Sequence, residues 1–261
     1  MDLVTIDPKL CSNDGLCVRV CPYLLFTPTS DGPPAFEQDR AAQCIRCGHC
    51  VAVCPHDAVH HREFPHAGSP RLDPKLEVPA TAALQFLKGR RSIRAFRPEP
   101  VDKKLIATVI DAARWAPSAS NGQPVHWLLV TDPAEVHRLA ALVVEILRAD
   151  PARSVFGKAW DRGIDMVLRG APHLAIAHGP TGAWGQVDGA IALTYFDLAA
   201  SAHGLGTCWA GILMRAAKSP EVAEALVLPA DHQLFGALMF GRPALRYQRI
   251  PDRRPARIEW R

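Results

Sequence analysis

The sequence predicts a small cysteine-rich module followed by a larger α+β domain. Seven of the eight cysteines of the 261-residue chain lie before residue 60, in two runs that each end in Cys-Pro. Beyond residue 80, apolar residues recur with helical spacing in many segments, and few segments have the character of strands. Because these helices and strands do not alternate strictly, we expect an α+β domain. The predicted boundaries are 1–62 for the module, 63–79 for a linker rich in Pro and His, and 80–261 for the larger domain.

The module is predicted to be an internal repeat of a strand, a cysteine loop and a short helix. A strand is expected at Val4–Asp7, and short helices at Cys17–Cys21 and Cys50–Cys54, each ended by Cys-Pro. The second cysteine run has the spacing C-x2-C-x2-C-x3-C-P, which in bacterial ferredoxins binds a cuboidal iron–sulfur cluster. The module therefore indicates a protein that moves single electrons.

The cysteine spacing also predicts which thiolates share a cluster. In two-cluster ferredoxins the cysteine before the proline ligates the other cluster. On that rule one 4Fe-4S cluster is held by Cys21, Cys44, Cys47 and Cys50, and the other cluster by Cys11, Cys17 and Cys54. A zinc site is disfavoured, because zinc knots use two separated cysteine pairs rather than three thiolates on one tight loop.

Asp14 occupies the position in the first run where the second cysteine would stand. A carboxylate there can ligate iron and complete a 4Fe-4S cluster with one exchangeable corner. The alternative is a 3Fe-4S cluster in which Asp14 is not a ligand. In both cases the two clusters differ in reduction potential, because ligand identity sets the potential. The nearby histidines are expected to be solvated or packing residues, with His49 the candidate hydrogen-bond donor to a cluster sulfur.

The larger domain is predicted from its hydrophobic periodicity. A long, nearly buried helix is expected at its centre, because Gln186–His203 is apolar on most sides. The other expected helices are Thr81–Gly89, Asp102–Ala116, Ala134–Arg148, Arg162–Arg169 and Pro220–Leu226. The expected strands are His126–Thr131, His173–Ala177 and Gln233–Phe240.

Composition excludes several classes of protein. The net charge of +4 is uneven, because residues 1–60 carry four Lys and Arg against seven Asp and Glu, whereas the rest carries 26 against 19. Pro and apolar residues interrupt the basic C-terminus, so nucleic-acid binding is not expected. No apolar stretch is long enough to span a membrane, and the N-terminus lacks the pattern of a signal peptide. Cytoplasmic localisation is therefore expected, with the cysteines serving as metal ligands.

Three polar or glycine-rich segments of the larger domain form a second constellation. The first is Arg90-Arg91-Ser92-Ile93-Arg94, whose guanidinium groups match phosphate oxygens. The second is the loop Pro117-Ser118-Ala119-Ser120-Asn121-Gly122-Gln123-Pro124, which leaves a helix and enters a strand. The third is the loop Gly204-Leu205-Gly206-Thr207-Cys208-Trp209-Ala210-Gly211, where glycines let backbone N–H groups approach a ring edge. Each segment alone is a weak signal.

Together and in this order, these segments resemble the FMN-dependent nitroreductase family, over about residues 80–261. The module resembles a two-cluster ferredoxin, so the whole chain resembles a ferredoxin-fused nitroreductase. The resemblance implies a nitroreductase-like three-layer α/β/α domain that binds FMN and forms a homodimer. The flavin performs the redox chemistry in this family, and no catalytic side chain is expected. Val125 departs from the pattern, because many members have an aromatic residue there.

The resemblance also implies roles for particular residues. Arg90, Arg91, Ser92 and Arg94 would bind the phosphate, ribityl chain and pyrimidine side of FMN. Ser118, Asn121 and Gln123 would lie where the partner subunit's loop meets the flavin, and Ala210 and Gly211 would offer N–H groups near flavin N5. Arg253 would close on the phosphate, with Arg249 or Arg254 as substitutes. Cys208 is expected to be a buried apolar residue rather than a nucleophile.

The function predicted from these features is an iron–sulfur flavoprotein oxidoreductase. Electrons would pass from an external donor, such as ferredoxin or NAD(P)H, through the clusters to FMN and on to a small organic acceptor of nitroaromatic, quinone or enone type. Two alternatives remain open. Electrons could leave through the clusters while FMN oxidises a substrate, or the chain could be a non-catalytic redox sensor or electron-transfer protein.

Overall fold

The computed structural model describes residues 2–64 and 69–261. By its contacts the chain divides into two compact units. The first is Met1–Glu77 with Ser120–Gly122, and the second is Val78–Ala119 with Gln123–Arg261. Residues 65–68 of the predicted linker lie outside the described residues. Within the described residues, none of the helices has the length and apolar character needed to cross a lipid bilayer.

The first unit is built from short elements around a small core. In chain order they are β1 (Val4–Ile6), α1 (Leu16–Val20), β2 (Phe26–Thr27), β3 (Ala35–Phe36), α2 (His49–Val53) and β4 (Val59–His61). Strand β1 pairs antiparallel with β4, and β2 pairs antiparallel with β3. The buried core between them includes Val4, Phe26, Val51 and Val59. The predicted strand at Val4–Asp7 and both predicted short helices are thus present.

Helices α1 and α2 each begin after a glycine in the left-handed conformation. Gly15 has a φ of 68° and Gly48 a φ of 71°. Side chains rarely adopt this region, so glycine is the favoured residue at both turns. The two glycines occupy corresponding positions of the two cysteine runs, which gives the module its internal repeat.

The second unit contains the larger sheet and most of the helices. Its helices are α3 (Ala80–Gly89), α4 (Lys103–Ala113), α5 (Pro133–Arg148), α6 (Ser154–Trp160), α7 (Gly185–Ala202), α8 (Gly211–Ala216) and α9 (Pro220–Leu226). Its strands are β5 (His126–Val130), β6 (His173–Pro180), β7 (Gly206–Trp209) and β8 (His232–Gly241). The strands form an antiparallel sheet in the order β5-β6-β8-β7.

Helices cover both faces of this sheet. Successive side chains of a strand point to opposite faces. Leu174 and Ile176 of β6 accordingly pack in the core that contains α5, α8 and α9. Ala175 and Ala177 pack on the other side, in the core that contains α4 and α7. The second unit is therefore the three-layer α/β/α arrangement that was predicted.

Two segments differ from the sequence-based expectation. The helix predicted over Arg162–Arg169 is wrong: the helix of this region is α6, and turns follow it. Positive φ angles at Gly163, Arg169 and Gly170 are incompatible with a continuous helix. The carboxylate of Asp165 accepts hydrogen bonds from three backbone N–H groups, and these bonds favour a turn. Residues 206–209, interpreted as a loop, instead form β7, because they pair with β8.

The close approach of α7 to β8 predicts the effect of one substitution. A Cβ at Gly189 of α7 would lie 2.3 Å from the Cβ of Phe235, which is too short for a real contact. Gly189→Ala should therefore lower the free energy of unfolding by about 1–3 kcal/mol, despite the higher helix propensity of alanine. Chemical denaturation measures this change. Gly182→Ala is the control, since its Cβ would meet its nearest atom only at 4.0 Å; an equal loss in both variants would contradict the packing argument.

Candidate functional site

The first unit gathers seven cysteines and one aspartate around two small cavities. One cavity is lined by Cys21 together with Cys44, Cys47 and Cys50. The other is lined by Cys54 together with Cys11, Cys17 and Asp14. The cysteine before each proline thus lines the cavity formed by the other cysteine run. This crossed grouping is the one that the spacing predicts.

The residues around the two cavities repeat with a separation of 33 positions, from Cys11 to Cys44 and from Cys21 to Cys54. The left-handed residues in the two cysteine loops repeat in the same way: Asn13 and Arg46, and Leu24 and Asp57, all have φ between 51° and 55°. Backbone N–H groups reach sulfur at equivalent places, from Leu25 to Cys21 Sγ at 3.5 Å and from Ala58 to Cys54 Sγ at 3.3 Å. Such N–H···S bonds are among the interactions that set cluster potentials.

The thiols that line the two cavities form no disulfides, so they are available as metal ligands. All eight cysteines are free. Among the described residues, no group of three or more His, Cys, Asp or Glu side chains converges closely enough to hold a metal ion. Ligands of a cluster surround it instead of converging on one point. Burial raises the pKa of the Cys50 thiol to about 12 and also raises that of Cys17, so bound iron would have to stabilise these thiolates.

Asp14 lines its cavity, where two hydrogen bonds hold its carboxylate. Its Oδ1 accepts a hydrogen bond from the Leu16 N–H, and its Oδ2 accepts one from the Ser12 hydroxyl, both at 3.0 Å. These bonds, the Leu16 bond foremost, lower the pKa of Asp14 below its ordinary value. A carboxylate has about four acceptor positions, so these two bonds leave capacity for a metal ion.

The histidines of the module are predicted to be solvated or packing residues, and His61 is a packing one. It is buried at 3% exposure and lines the cavity of Cys21, Cys44, Cys47 and Cys50. Its Nε2 lies 3.9 Å from Cys44 Sγ, and burial lowers its pKa. His49, the predicted donor to sulfur, is exposed, and its Nδ1 faces the Cys47 carbonyl at 3.3 Å. Alternation along β4 could have found this residue, since Val59 and His61 share the inward face.

In the second unit the arginine segment lies along the outer edge of the sheet. Ser92 forms a parallel bridge with Thr207 of β7, and the Ile93 N–H donates to the Thr207 carbonyl at 2.8 Å. The Arg91 Nε is buried and, within the described part of the chain, has no hydrogen-bond partner. Such a buried cationic donor is costly unless an acceptor meets it, so the segment suits an anionic group such as a phosphate.

Asp197 of α7 is a buried carboxylate that the sequence reasoning missed. It accepts a hydrogen bond from the Thr207 hydroxyl and pairs with Arg90, whose Nη1 lies 3.3 Å from its Oδ2. Burial raises the pKa of Asp197, while Thr207 and Arg90 oppose that rise. A polar residue on the buried face of the central helix was the available signal. Asp197 thus fixes Arg90 beside the β7 edge.

The loop before β5 has a strained backbone. Ser120, Asn121 and Gln123 all have positive φ although none is glycine, and strain of this kind clusters at functional sites. In the second unit, Ser118 Oγ accepts from the Gln123 N–H at 2.9 Å, and Asp188 Oδ1 accepts from the Ala119 N–H at 3.0 Å. Asn121 belongs by its contacts to the first unit. The roles of these residues at a flavin stay predictions.

The glycine-rich segment favours one of its two candidate donors. The Ala210 N–H already donates to the Ala237 carbonyl at 2.9 Å, so it is not available to a ring. Gly211 begins α8, where the first N–H groups have no partner within the helix, and a Cβ there would meet nothing within 4 Å. Cys208 is buried in β7, as expected. Arg253 lies in an exposed segment, where its own N–H donates to Asp252, so its contact with a phosphate stays a prediction.

Comparison with known proteins identifies both parts of the chain. Residues 87–242 match the sequence profile described as the nitroreductase family. The chain belongs to the nitroreductase family. Residues 10–59 match the profile of a 4Fe-4S dicluster domain. An NADH dehydrogenase of Thermus thermophilus is 32% identical over 195 residues, covering 67% of this chain and 89% of that protein.

Solved structures are similar to the nitroreductase domain. The FMN-dependent nitroreductase NfnB from Mycobacterium smegmatis, in complex with NADPH, is 27% identical with a TM-score of 0.53, covering 69% of this chain and 99% of that one. A nitroreductase with bound FMN from Bacteroides fragilis is 23% identical with a TM-score of 0.56, covering 67% and 98%, and supports the fold alone. The predicted fold class, the ferredoxin-type module and a nitroreductase-like oxidoreductase are confirmed.

The buried Asp197–Thr207 contact of the nitroreductase domain predicts a stability loss that depends on pH. Thr207→Val removes the hydroxyl donor, which should cost about 1–3 kcal/mol of unfolding free energy. It should also raise the pKa of Asp197 further, because the lost bond favours the charged form. The cost should therefore be greater at pH 7.5 than at pH 5.5, as measured by denaturation at both values. Thr108→Val is the control, because it removes an exposed hydroxyl that donates to the carbonyl of Lys104 in the same helix, and its cost should not depend on pH. Equal costs of Thr207→Val at the two pH values would contradict the prediction.

Proposed function

We propose that this protein is an iron–sulfur flavoprotein oxidoreductase that takes electrons from an external donor and reduces a small organic acceptor of nitroaromatic, quinone or enone type. When bound, Fe–S clusters carry single electrons and FMN exchanges two with an organic substrate. One observation supports the proposal above the rest. In a single chain, cysteines from both runs line each of two cavities, and the arginine segment of the nitroreductase domain contains the buried Arg91 Nε, for which the described residues supply no acceptor.

The ligands proposed for the clusters are the residues that line the two cavities. Cys21, Cys44, Cys47 and Cys50 would hold one 4Fe-4S cluster, and Cys11, Cys17 and Cys54 would hold the other. We include Asp14 as the fourth ligand of the second site, because its carboxylate is ionised and lines that cavity.

Of the residues proposed for FMN, Arg90, Ser92 and Gly211 lie beside or directly after β7. Arg91 would meet the phosphate through its buried Nε, and Asp197 would keep Arg90 in place beside it. Gly211 would present an N–H to the ring. Ser92, Arg94, Ser118, Asn121, Gln123 and Arg253 complete the proposed set from the family resemblance. NAD(P)H is a second proposed donor, supported by the NADPH in the NfnB structure and by the name of the Thermus relative.

A homodimer is proposed on the basis of α7. Gln186, Val187, Ala190, Ile191 and Thr194 line an open groove along one side of this helix. Val187 is 49% exposed and Tyr195 40% exposed, although the opposite side of the helix is buried in the core. An exposed apolar stripe on a central helix is typical of an interface between subunits.

Assays with a one-electron protein donor and with NAD(P)H can distinguish the roles of the two units. Cys50→Ala removes one proposed cluster ligand, so iron content should fall from about eight per chain. Turnover with a reduced one-electron protein donor should fall at least tenfold, because the electron entrance is damaged. Bound flavin, and any turnover with NAD(P)H, should persist. Anaerobic purification, iron and flavin quantitation and steady-state assays with each donor measure these quantities.

Cys208→Ala is the matched control. Cys208 is buried in the sheet of the nitroreductase domain and is not among the residues that line either cavity. This variant should keep its iron and both activities. Wild-type protein that neither contains nor binds FMN would refute the reductase proposal. Full turnover of Cys50→Ala with the one-electron donor would refute the entrance through the module.

The proposed contact between Arg91 and the phosphate predicts that an Arg91 variant loses affinity for FMN more than for riboflavin. Arg91→Gln should weaken FMN binding at least tenfold but riboflavin binding much less, because riboflavin lacks the phosphate that the guanidinium would meet. Fluorescence titration of flavin-free protein measures both dissociation constants. Arg114→Gln is the control, since Arg114 is an exposed arginine paired with Asp111. Equal weakening of both ligands by Arg91→Gln would contradict a phosphate contact.

A further inference from the structure

We propose that His61 donates a hydrogen bond from Nε2 to Cys44 Sγ and thereby raises the reduction potential of the cluster that Cys44 would hold. The inference rests on the proposed cluster ligands. It concerns a residue that acts through a ligand, so His61 is a positioning residue rather than a catalytic one. Three observations carry it: the tautomer of the ring, its fixed position, and its place in one cavity but not the other.

The backbone fixes the tautomer of His61. The Glu63 N–H donates to His61 Nδ1 over 3.1 Å, so Nδ1 must present a lone pair. A neutral imidazole with an unprotonated Nδ1 carries its proton on Nε2. That nitrogen is the one that lies 3.9 Å from Cys44 Sγ, so the contact is a donation from nitrogen to sulfur.

Packing holds the ring in this orientation. His61 is 3% exposed and pairs in register with Val4 across the β1–β4 ladder. The Phe64 ring lies against it with the centroids 4.7 Å apart. Phe64 also covers Gly48, beside Cys47, because a Cβ at Gly48 would lie 3.6 Å from the Phe64 ring. Rotation of the imidazole away from sulfur would therefore disturb the wall of the cavity.

The direction of the effect follows from charge. One-electron reduction of a cluster adds negative charge that is shared with its sulfur ligands, and an N–H donor stabilises the more negative state. The interaction is buried, where solvent screens it little. Hydrogen bonds to sulfur are an established determinant of cluster potential.

The internal repeat shows that this donor belongs to one cavity. The position 33 residues before His61 is Pro28, which has no side-chain donor. The backbone donors at Leu25 and Ala58, by contrast, are equivalent in the two halves. His61 therefore distinguishes the two clusters, independently of the substitution at Asp14, and favours the electron on the cluster of Cys21, Cys44, Cys47 and Cys50.

The test compares two substitutions that differ in reach. The amide nitrogen of glutamine can occupy the place of His Nε2. The side chain of asparagine is one methylene shorter, so its amide nitrogen cannot reach that place. Full-length protein, His61→Asn, His61→Gln and the control His60→Asn are purified anaerobically and titrated with dithionite, and EPR follows each cluster signal. His60 is exposed and neighbours His61 on the same strand, so its side chain points to the opposite face.

In His61→Asn the reduction potential of one cluster should become more negative. The equilibrium constant for its one-electron reduction should fall by up to about tenfold, which corresponds to about 59 mV. His61→Gln should stay within about twofold of the unsubstituted protein, and His60→Asn should not change. If His61→Asn loses iron, His61→Phe replaces it, because a phenyl ring keeps the packing on Phe64 without a donor.

An unshifted signal in the variants that lack the donor would overturn the inference. So would equal shifts in the asparagine and glutamine variants, since these would reflect packing rather than hydrogen bonding, or a matching shift in His60→Asn. Failure of the proposed function is distinguishable from these outcomes. If the proposed clusters are absent, the unsubstituted protein itself would contain no iron and give no cluster signal. If only FMN is absent, the cluster signals and their shifts can still be measured.

Discussion

The nitroreductase domain depends on how closely α7 packs against the sheet at Phe235. Gly185 and Gly189 on α7 and Gly179 on β6 surround this ring so tightly that a Cβ at any of them would come within 2.7 Å of a Phe235 carbon. Interiors of this density transmit a displacement instead of absorbing it. The close packing therefore restricts how the helix can shift on the sheet. Asp197, farther along the same helix, is placed by that packing beside Thr207.

The consequence for the site is a chain of buried polar contacts that begins in the core. A buried carboxylate is stable only with partners, and Asp197 has two, the Thr207 hydroxyl and the Arg90 guanidinium. This arrangement ties the arginine segment to β7 from inside the protein. Arg90 already has a carboxylate partner, so the buried Nε of Arg91 is the better candidate for meeting an anion. The two adjacent arginines are alike in sequence but differ in their surroundings.

The sequence was sufficient wherever local pattern decides the structure. The cysteine spacing predicted the crossed lining of both cavities, and apolar periodicity predicted α7 within one residue at either end. It failed where distant contacts decide. Residues 206–209 form a strand because β8 lies beside them, and the turn after α6 depends on the hydrogen bonds of Asp165. Asp197 was missed for the same reason. Alternation along β4 indicates that His61 points inward, but its contact with Cys44 was not predictable, since a polar residue shows its role only once its buried partners are known.

The covalent link between the module and the nitroreductase domain has a kinetic advantage if the proposed function holds. Carriers of the ferredoxin type deliver one electron at a time, whereas reduction of an organic acceptor by a flavin enzyme takes two. A free carrier would have to dissociate and be replaced between the two deliveries. A short linker keeps a tethered partner at an effective concentration on the order of millimolar, which removes that second encounter. The two clusters would then need to differ in electron affinity so that transfer has a direction. The chain offers two unrelated sources of such a difference, the carboxylate of Asp14 at one cavity and the imidazole of His61 at the other.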